Sequence, residues 1–211
     1  MTRRARDVAV SALALALLAP LMLLVAATIA IVDGFPVLFR QSRPGLHGQL
    51  FTLVKFRTMR IPRPDENPLA TDGLRLGRLG RFLRATSLDE LPTLWNVLCG
   101  DMSLVGPRPL LPEYLSRYTR EQARRHEVRP GVTGWAQVHG RNGISWDDRL
   151  RMDTWYVDHR THSLDARILL MTLRQVVLRR GVSASGHATM PEFQGDARSA
   201  GPSVDRGGEG A

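Results

Sequence analysis

Residues 8–32, VAVSALALALLAPLMLLVAATIAIV, carry no charge and consist mostly of Ala, Leu, Val and Ile. As one helix this stretch reaches roughly 37 Å, enough to cross the hydrocarbon core of a bilayer. A secretory signal peptide shares the basic start formed by Arg3, Arg4 and Arg6. The apolar run is long for that, and Ala26-Ala27-Thr28 is a weak cleavage site followed by more apolar residues. A single-pass anchor is the simplest alternative. Two features oppose it. Pro20 sits mid-run, where it removes a backbone hydrogen bond and kinks a helix. Basic residues flank both ends, with Arg40 and Arg43 following the run, so the positive-inside rule assigns both flanks to the cytosol. A bent helix that enters and leaves by one face satisfies this, provided the freed carbonyl near Ala16 finds a partner.

Beyond this segment, 211 residues leave room for one domain. The formal net charge of +9 suits anionic lipid, phosphorylated substrates or nucleic acid, and is silent on fold. Arginine supplies nearly all of it, Lys55 being the only lysine, and arginine favours bidentate contacts to phosphate. Cys99 is the only cysteine, which excludes an internal disulfide and argues against a Cys-based zinc site.

Phe35 to Arg60 reads as extended structure: Val37-Leu38-Phe39 and Leu50 to Phe56 favour strands, and Arg43-Pro44-Gly45 and His47-Gly48 signal turns. Ile61 to Asp72, with three prolines, reads as a loop. Leu74 to Arg84 spaces Leu74, Leu76, Leu79, Phe82 and Leu83 among four arginines, giving an amphipathic basic helix suited to an anionic membrane surface or to a solvated arginine face. Asp89 to Leu98 is expected to be a helix entered through Thr86 or Ser87, with Pro92 in its first turn. Further helices are expected over Pro112 to Val128, Trp146 to His159 and Leu164 to Arg180, with Arg129-Pro130-Gly131 as a break. From Ala197 the chain is almost free of apolar residues, which predicts a disordered tail.

Asp89 and Glu90 are the most informative polar pair. Adjacent carboxylates repel, so ionising both is costly unless cations offset the charge. Acids beside arginines suit chemistry on a phosphate, with one carboxylate to attack or hold metal and guanidiniums to hold the anion. The ordinary alternative is a helix-start cap. Arg108 between two prolines and Arg129 before Pro130-Gly131 are stiffly held, which suits a phosphate clamp and equally a surface ion pair. Lys55 and Arg57 suit phosphate, a lipid headgroup or internal acids. Asp101 reads as a buried cap more readily than as a metal-region acid, and the four tryptophans as core or interface residues. His126, His139 and His159 lack metal-ligand spacing.

Several ordered motifs carry a resemblance. Lys55-Phe56-Arg57-Thr58-Met59, Asp89-Glu90-Leu91-Pro92, Leu94-Trp95-Asn96-Val97-Leu98 and Gly100 to Pro109 resemble the bacterial sugar transferase family of monotopic polyprenyl-phosphate phosphoglycosyl transferases. Arg129 to Val138, Gly140-Arg141-Asn142 and Ala188 to Phe193 continue the match, which runs in order from about Arg3 to Gly195. Together the motifs are highly specific, though each alone is weak.

The resemblance implies an α+β, mostly helical fold. A re-entrant membrane helix broken at Pro20, amphipathic interfacial helices and a small β element would surround a membrane-edge active site. Its parts would be a membrane-inserted helix over 1–34, a cytosolic catalytic domain over 35–196 and the tail over 197–211. The implied reaction moves a sugar-1-phosphate from a UDP-sugar to polyprenyl (undecaprenyl) phosphate, releases UMP and starts surface glycan assembly at the cytosolic leaflet of the bacterial inner membrane. By the same resemblance Asp89 is the nucleophile and Glu90 its supporting acid. Both are candidate ligands of Mg2+, and Lys55, Arg57, Arg108 and Arg129 are candidate substrate contacts. The chain looks like the minimal short form, and the Ala188 to Phe193 segment leans toward an N-acetylated amino sugar, with glucose and galactose open. A homodimer is compatible with surface helices that pair. The chain departs from the family pattern at Thr93, Cys99 and His139, where Gln, Lys and Asn are common, and at Ala19, where Ser often precedes the proline. The competing classes are a membrane-anchored basic protein binding lipid or nucleic acid, for which no nucleic-acid motif is visible, and a metal-dependent phosphatase or pyrophosphatase.

Overall fold

The computed structural model describes residues 2–61, 75–140, 144–177 and 193–195. The expected tail and nearly all of the expected 61–72 loop lie outside them.

The apolar run becomes one helix, α1 (Arg3–Val32), capped by the Thr2 hydroxyl, which accepts from the Ala5 amide. It is the one helix among the described residues long and apolar enough to cross a membrane. Pro20 lies inside it. Residues 12–24 contain no buried position, and Leu13, Leu17, Leu23 and Leu24 are well exposed. Both ends of α1, by contrast, are tied to the rest of the chain. At the start, Arg3 Nε and Arg6 Nη2 donate to Asp165 at 3.2 and 2.8 Å, Arg4 donates to the carbonyls of Val97 and Leu98, and Ser103 Oγ donates to Asp7. At the finish, Val25 and Ile29 pack with Phe56 and Leu83, flanked by Leu88 and Leu91.

Strands β1 (Leu38–Pro44) and β2 (Leu50–Phe56) form the expected antiparallel hairpin, with Leu38 opposite Phe56 and Pro44 opposite Leu50. The basic helix α2 spans Arg78–Thr86, starting later than its sequence suggests because Gly77 takes the extended N-cap position. It buries Leu83 and leaves Phe82 exposed. The next helix, α3 (Thr93–Cys99), begins only after Pro92, so the expected helix over 89–98 loses its first turn. Ser87 is the reason: its left-handed φ of 57° ends α2 and turns the chain into a separate 3-10 turn, Leu88–Glu90.

Asn96 fixes α3 against the hairpin. Its side-chain amide accepts from the Val54 N–H at 3.0 Å and donates to the Thr52 carbonyl at 2.8 Å, completing the edge of β2 as a further strand would. Behind it, β3 (Ser103–Val105) and β4 (Gly131–Thr133) pair in parallel, Ser103 opposite Gly131. Each strand is too short to show a period of two, so the pair leaves no pattern in the sequence. Glycine permits it: a Cβ on Gly131 would meet the Gly106 nitrogen at 2.1 Å, and one on Gly106 would meet the Arg129 carbonyl at 2.4 Å.

The expected helix over 112–128 is also corrected. Tyr118 is extended and Thr119 opens a capping box with Gln122, leaving a 3-10 segment (Pro112–Arg117), the short α4 (Arg120–Ala123) and a second 3-10 turn (Arg124–Glu127). Then come α5 (Trp135–His139), α6 (Trp146–His159), as expected, and α7 (His162–Val177), whose first turn starts ahead of the expected Leu164. The main core gathers Leu53, Val97, Met102, Leu104, Val105, Val138, Tyr156 and Ile168. A second, aromatic cluster seats Phe193 against Tyr114, Tyr118 and Trp146. The fold is α+β and mostly helical, with an N-terminal apolar helix fit for a membrane anchor.

Asp165 is fully buried and accepts from Arg3, Arg6 and the Tyr156 hydroxyl. Removing one partner of a buried charge network strands the others. Asp165→Ala is therefore expected to lower the unfolding free energy in detergent by about 3 kcal/mol, measured by urea titration, with Asp165→Asn losing less.

Candidate active site

Asp89 and Glu90 stand in the turn between α2 and α3, ahead of the helix rather than in it. The Thr93 hydroxyl donates to the Glu90 carbonyl at 2.5 Å and tethers the turn to the start of α3. Two cations converge on one oxygen of Glu90. Lys55 Nζ, from β2, donates to Oε1 at 2.5 Å, and Arg108 Nη2, from the loop after β3, donates to the same atom at 2.9 Å. The Glu90 and Lys55 side chains are 22% and 16% exposed, so the contact is shielded, while the Arg108 side chain is 40% exposed.

This arrangement drives the two acids apart. Burial raises the Asp89 carboxyl to about 6, the adjacent Glu90 charge adds to the rise, and Lys55, Arg108 and Arg84 oppose it. Burial pushes Glu90 the same way, but Arg108 and Lys55 outweigh it and hold its carboxyl well below the usual range. Burial lowers the Lys55 ammonium against the pull of Glu90, while the Glu90 charge raises Arg108. Glu90 is thus a fixed anion and Asp89 a carboxylate whose charge is poorly compensated, the pattern of a reactive group beside its supporting charge.

Of the candidate substrate contacts, Lys55 and Arg108 come together at the dyad. Arg57 does not: it is buried, and its Nη2 donates to the carbonyls of Asp33 and Gly34, both at 2.6 Å, closing the C-terminal end of α1. Arg129 lies at the other end of α3 from the dyad, where its Nε donates to the Gly100 carbonyl at 2.8 Å. A cation there complements the helix C-terminus. Asp101 accepts from Asn96 Nδ2 at 3.2 Å, an internal brace. Arg84, not among the residues the motifs single out, also faces Asp89 and is anchored through Nε to Thr58 Oγ1 at 3.0 Å. Its signal was its place in the last turn of a basic helix just before the acids, hidden among Arg75, Arg78 and Arg81.

Among the described residues, no group of three or more His, Cys, Asp or Glu gathers to hold a metal. Two adjacent carboxylates remain, hard oxygen donors of the kind that bind Mg2+ when substrate phosphates complete the shell. Glu90 Oε1 is already engaged by both cations.

A carboxyl whose folded pKa is raised destabilises the protein once it ionises. Below about 4 both folded and unfolded forms are protonated; between about 4 and about 6 the unfolded chain ionises first; above about 6 the cost is fully present. Asp89→Asn is expected to be more stable than wild type by roughly 3 kcal/mol at pH 8, with the advantage disappearing as pH falls from 6 to 4. Thermal unfolding across that range in detergent measures it.

The sequence profile described as bacterial sugar transferase matches residues 1–179. EpsL of Bacillus subtilis, described as an uncharacterized sugar transferase, is 54% identical over 171 residues, covering 80% of this chain and 85% of that protein. A UDP-glucose:undecaprenyl-phosphate glucose-1-phosphate transferase of Caulobacter vibrioides is 43% identical over 183 residues, covering 82% of this chain and 68% of that protein. The undecaprenyl-phosphate galactose phosphotransferase of Salmonella typhimurium is 40% identical over 195 residues, covering 84% of this chain and 40% of its own length. A family match over residues 1–179, with 54% identity to a relative covered over 85% of its length, makes this chain a member of the bacterial sugar transferase family.

Proposed function

We propose that this chain transfers a sugar-1-phosphate from a UDP-sugar to a polyprenyl phosphate by two displacements through Asp89. The observation that carries the proposal is the split dyad, one acid fixed as an anion by Lys55 and Arg108 and the other left poorly compensated beside it. In the first displacement an Asp89 carboxylate oxygen bonds to the phosphorus that bears the sugar. The bond from that phosphorus to the bridging oxygen breaks, and UMP leaves with the electron pair. In the second, a phosphate oxygen of the polyprenyl phosphate bonds to the same phosphorus and Asp89 departs, giving a polyprenyl-diphosphate sugar. Dividing the transfer lets one pocket serve a soluble donor and a lipid acceptor in turn.

The cations around Asp89 suit this chemistry. Arg108 and Arg84 can meet the nonbridging phosphate oxygens, and a guanidinium fork meets two at once. Lys55 holds Glu90 and lowers the charge the incoming diphosphate must face. Asp89 and Glu90 would hold Mg2+, which would supply neutralisation of diphosphate charge when bound.

The attachment of α1 supports a re-entrant, monotopic arrangement with the catalytic part in the cytosol. Arg4 reaches the C-terminal end of α3, and the helix end near Ile29 packs beside Leu88 and Leu91, just before α3 begins. A straight helix separates Arg4 from Ile29 by roughly 37 Å, whereas α3 spans only about 10 Å. A bend at Pro20 would bring both ends to one body and dip the exposed middle into the bilayer. The named relatives differ between glucose and galactose, so the donor sugar is decided by assay.

Purified protein in nanodiscs with Mg2+, undecaprenyl phosphate and a panel of UDP-sugars is expected to release UMP with one donor, in step with lipid-linked sugar. Asp89→Asn should abolish turnover, and kcat/KM should fall below an acid limb near pH 6 as Asp89 protonates. Free sugar phosphate without lipid product would mean a hydrolase instead.

A further inference from the structure

Arg125 makes no contact with either acid, yet it is tied directly to the loop that carries Arg108. Its side chain is 1% exposed. Nε and Nη2 donate to Asp153 Oδ2 on α6 at 3.1 and 2.7 Å, Nη1 donates to the Tyr118 hydroxyl at 3.4 Å, and Nη2 also donates to the Arg108 main-chain carbonyl at 2.7 Å. Arg108 is therefore gripped twice, by Arg125 at its backbone and by Glu90 at its guanidinium. Pro107 and Pro109 on either side have no N–H to hold the segment, so donors must come from elsewhere. Gly131 N–H supplies one, to the Pro107 carbonyl at 2.9 Å, and Arg125 supplies the one at Arg108 itself.

A buried Arg–Asp pair is a poor stabiliser by itself, because apolar residues of similar size often replace such pairs at no loss. What they cannot replace is a donor aimed at the Arg108 carbonyl. We propose that Arg125, braced by Asp153, is a positioning residue that sets where the Arg108 guanidinium meets the transferring phosphate; this rests on the transfer reaction proposed above. Misplacing a phosphate-holding group by an ångström or so lowers the rate on the order of a hundredfold without abolishing binding.

The test uses the full chain in nanodiscs with the donor that wild type turns over. The paired variant Arg125→Met/Asp153→Leu removes both charges of the pair together, takes the Asp153 charge away from the buried Arg149 as well, and is compared with wild type by melting temperature before its activity is read. Its kcat should fall on the order of 10- to 100-fold with KM changed by less than about threefold. Made in an Arg108→Ala background, the same pair should cost nothing further, because its effect runs through Arg108. Arg125→Lys, whose single ammonium cannot serve Asp153 and the Arg108 carbonyl with the same geometry, should show the same dependence and carries the test if the paired variant does not fold. A wild-type kcat in a folded variant, or a loss that adds in full to that of Arg108→Ala, overturns the role of Arg125. A wild type inactive with every donor overturns the reaction itself, and this role with it.

Discussion

Glu90 held between Lys55 and Arg108 is the constraint on which the site depends. The contact joins three parts of the chain that are far apart in sequence: β2, the acid turn and the Pro107–Pro109 loop. With both cations on one carboxylate oxygen, Glu90 stays ionised despite burial. Burial raises Asp89, and the fixed Glu90 charge adds to the rise. A site with two equally compensated acids would offer a weaker nucleophile, because each carboxylate would be satisfied by its partner cation. Here one acid takes the cations and the other stays available.

The geometry behind that contact comes from backbone placement more than from side-chain packing. Ser87 in the left-handed region costs some local strain and lifts the acid turn out of α2. Asn96 holds the following helix to the hairpin that bears Lys55. Gly106, Gly131 and Gly134 bring the two arms of the parallel pair so close that a Cβ on any of them would meet backbone at 2.4 Å or less. The loop carrying Arg108 leaves this crossing directly, so its position is inherited from the glycines and held by Arg125.

The sequence showed the long-period elements and the charged motifs best. The apolar run, the hairpin and the helix over Trp146–His159 were legible because each repeats its pattern over several turns or pairs. The parallel pair was invisible at three residues per strand, and the Tyr118–Thr119 break was masked by a continuous charged pattern that looks helical. Within the site, Asp89, Glu90, Lys55 and Arg108 were named from motifs, and the structure gathers them. Arg57 and Arg129 carry the same residue type in equally distinctive motifs, but their donors go to the ends of α1 and α3. Nothing in one-dimensional spacing separates an arginine that meets a carboxylate from one that meets a row of carbonyls.

Membrane attachment and chemistry share one framework. Leu88 and Leu91, the residues on either side of the dyad, pack against the cluster that buries the end of α1, so the acid turn and the root of the apolar helix share one hydrophobic cluster. A lipid phosphate held at the bilayer surface would meet Asp89 without leaving its leaflet. The most direct test of Asp89 as the proposed nucleophile is intact-mass analysis of the protein mixed with Mg2+ and UDP-sugars in the absence of lipid acceptor. The account requires one added sugar-phosphate mass, mapped to Asp89, lost in Asp89→Asn and discharged by polyprenyl phosphate. UMP formation with lipid acceptor but no such adduct, or an adduct on another residue, would contradict it.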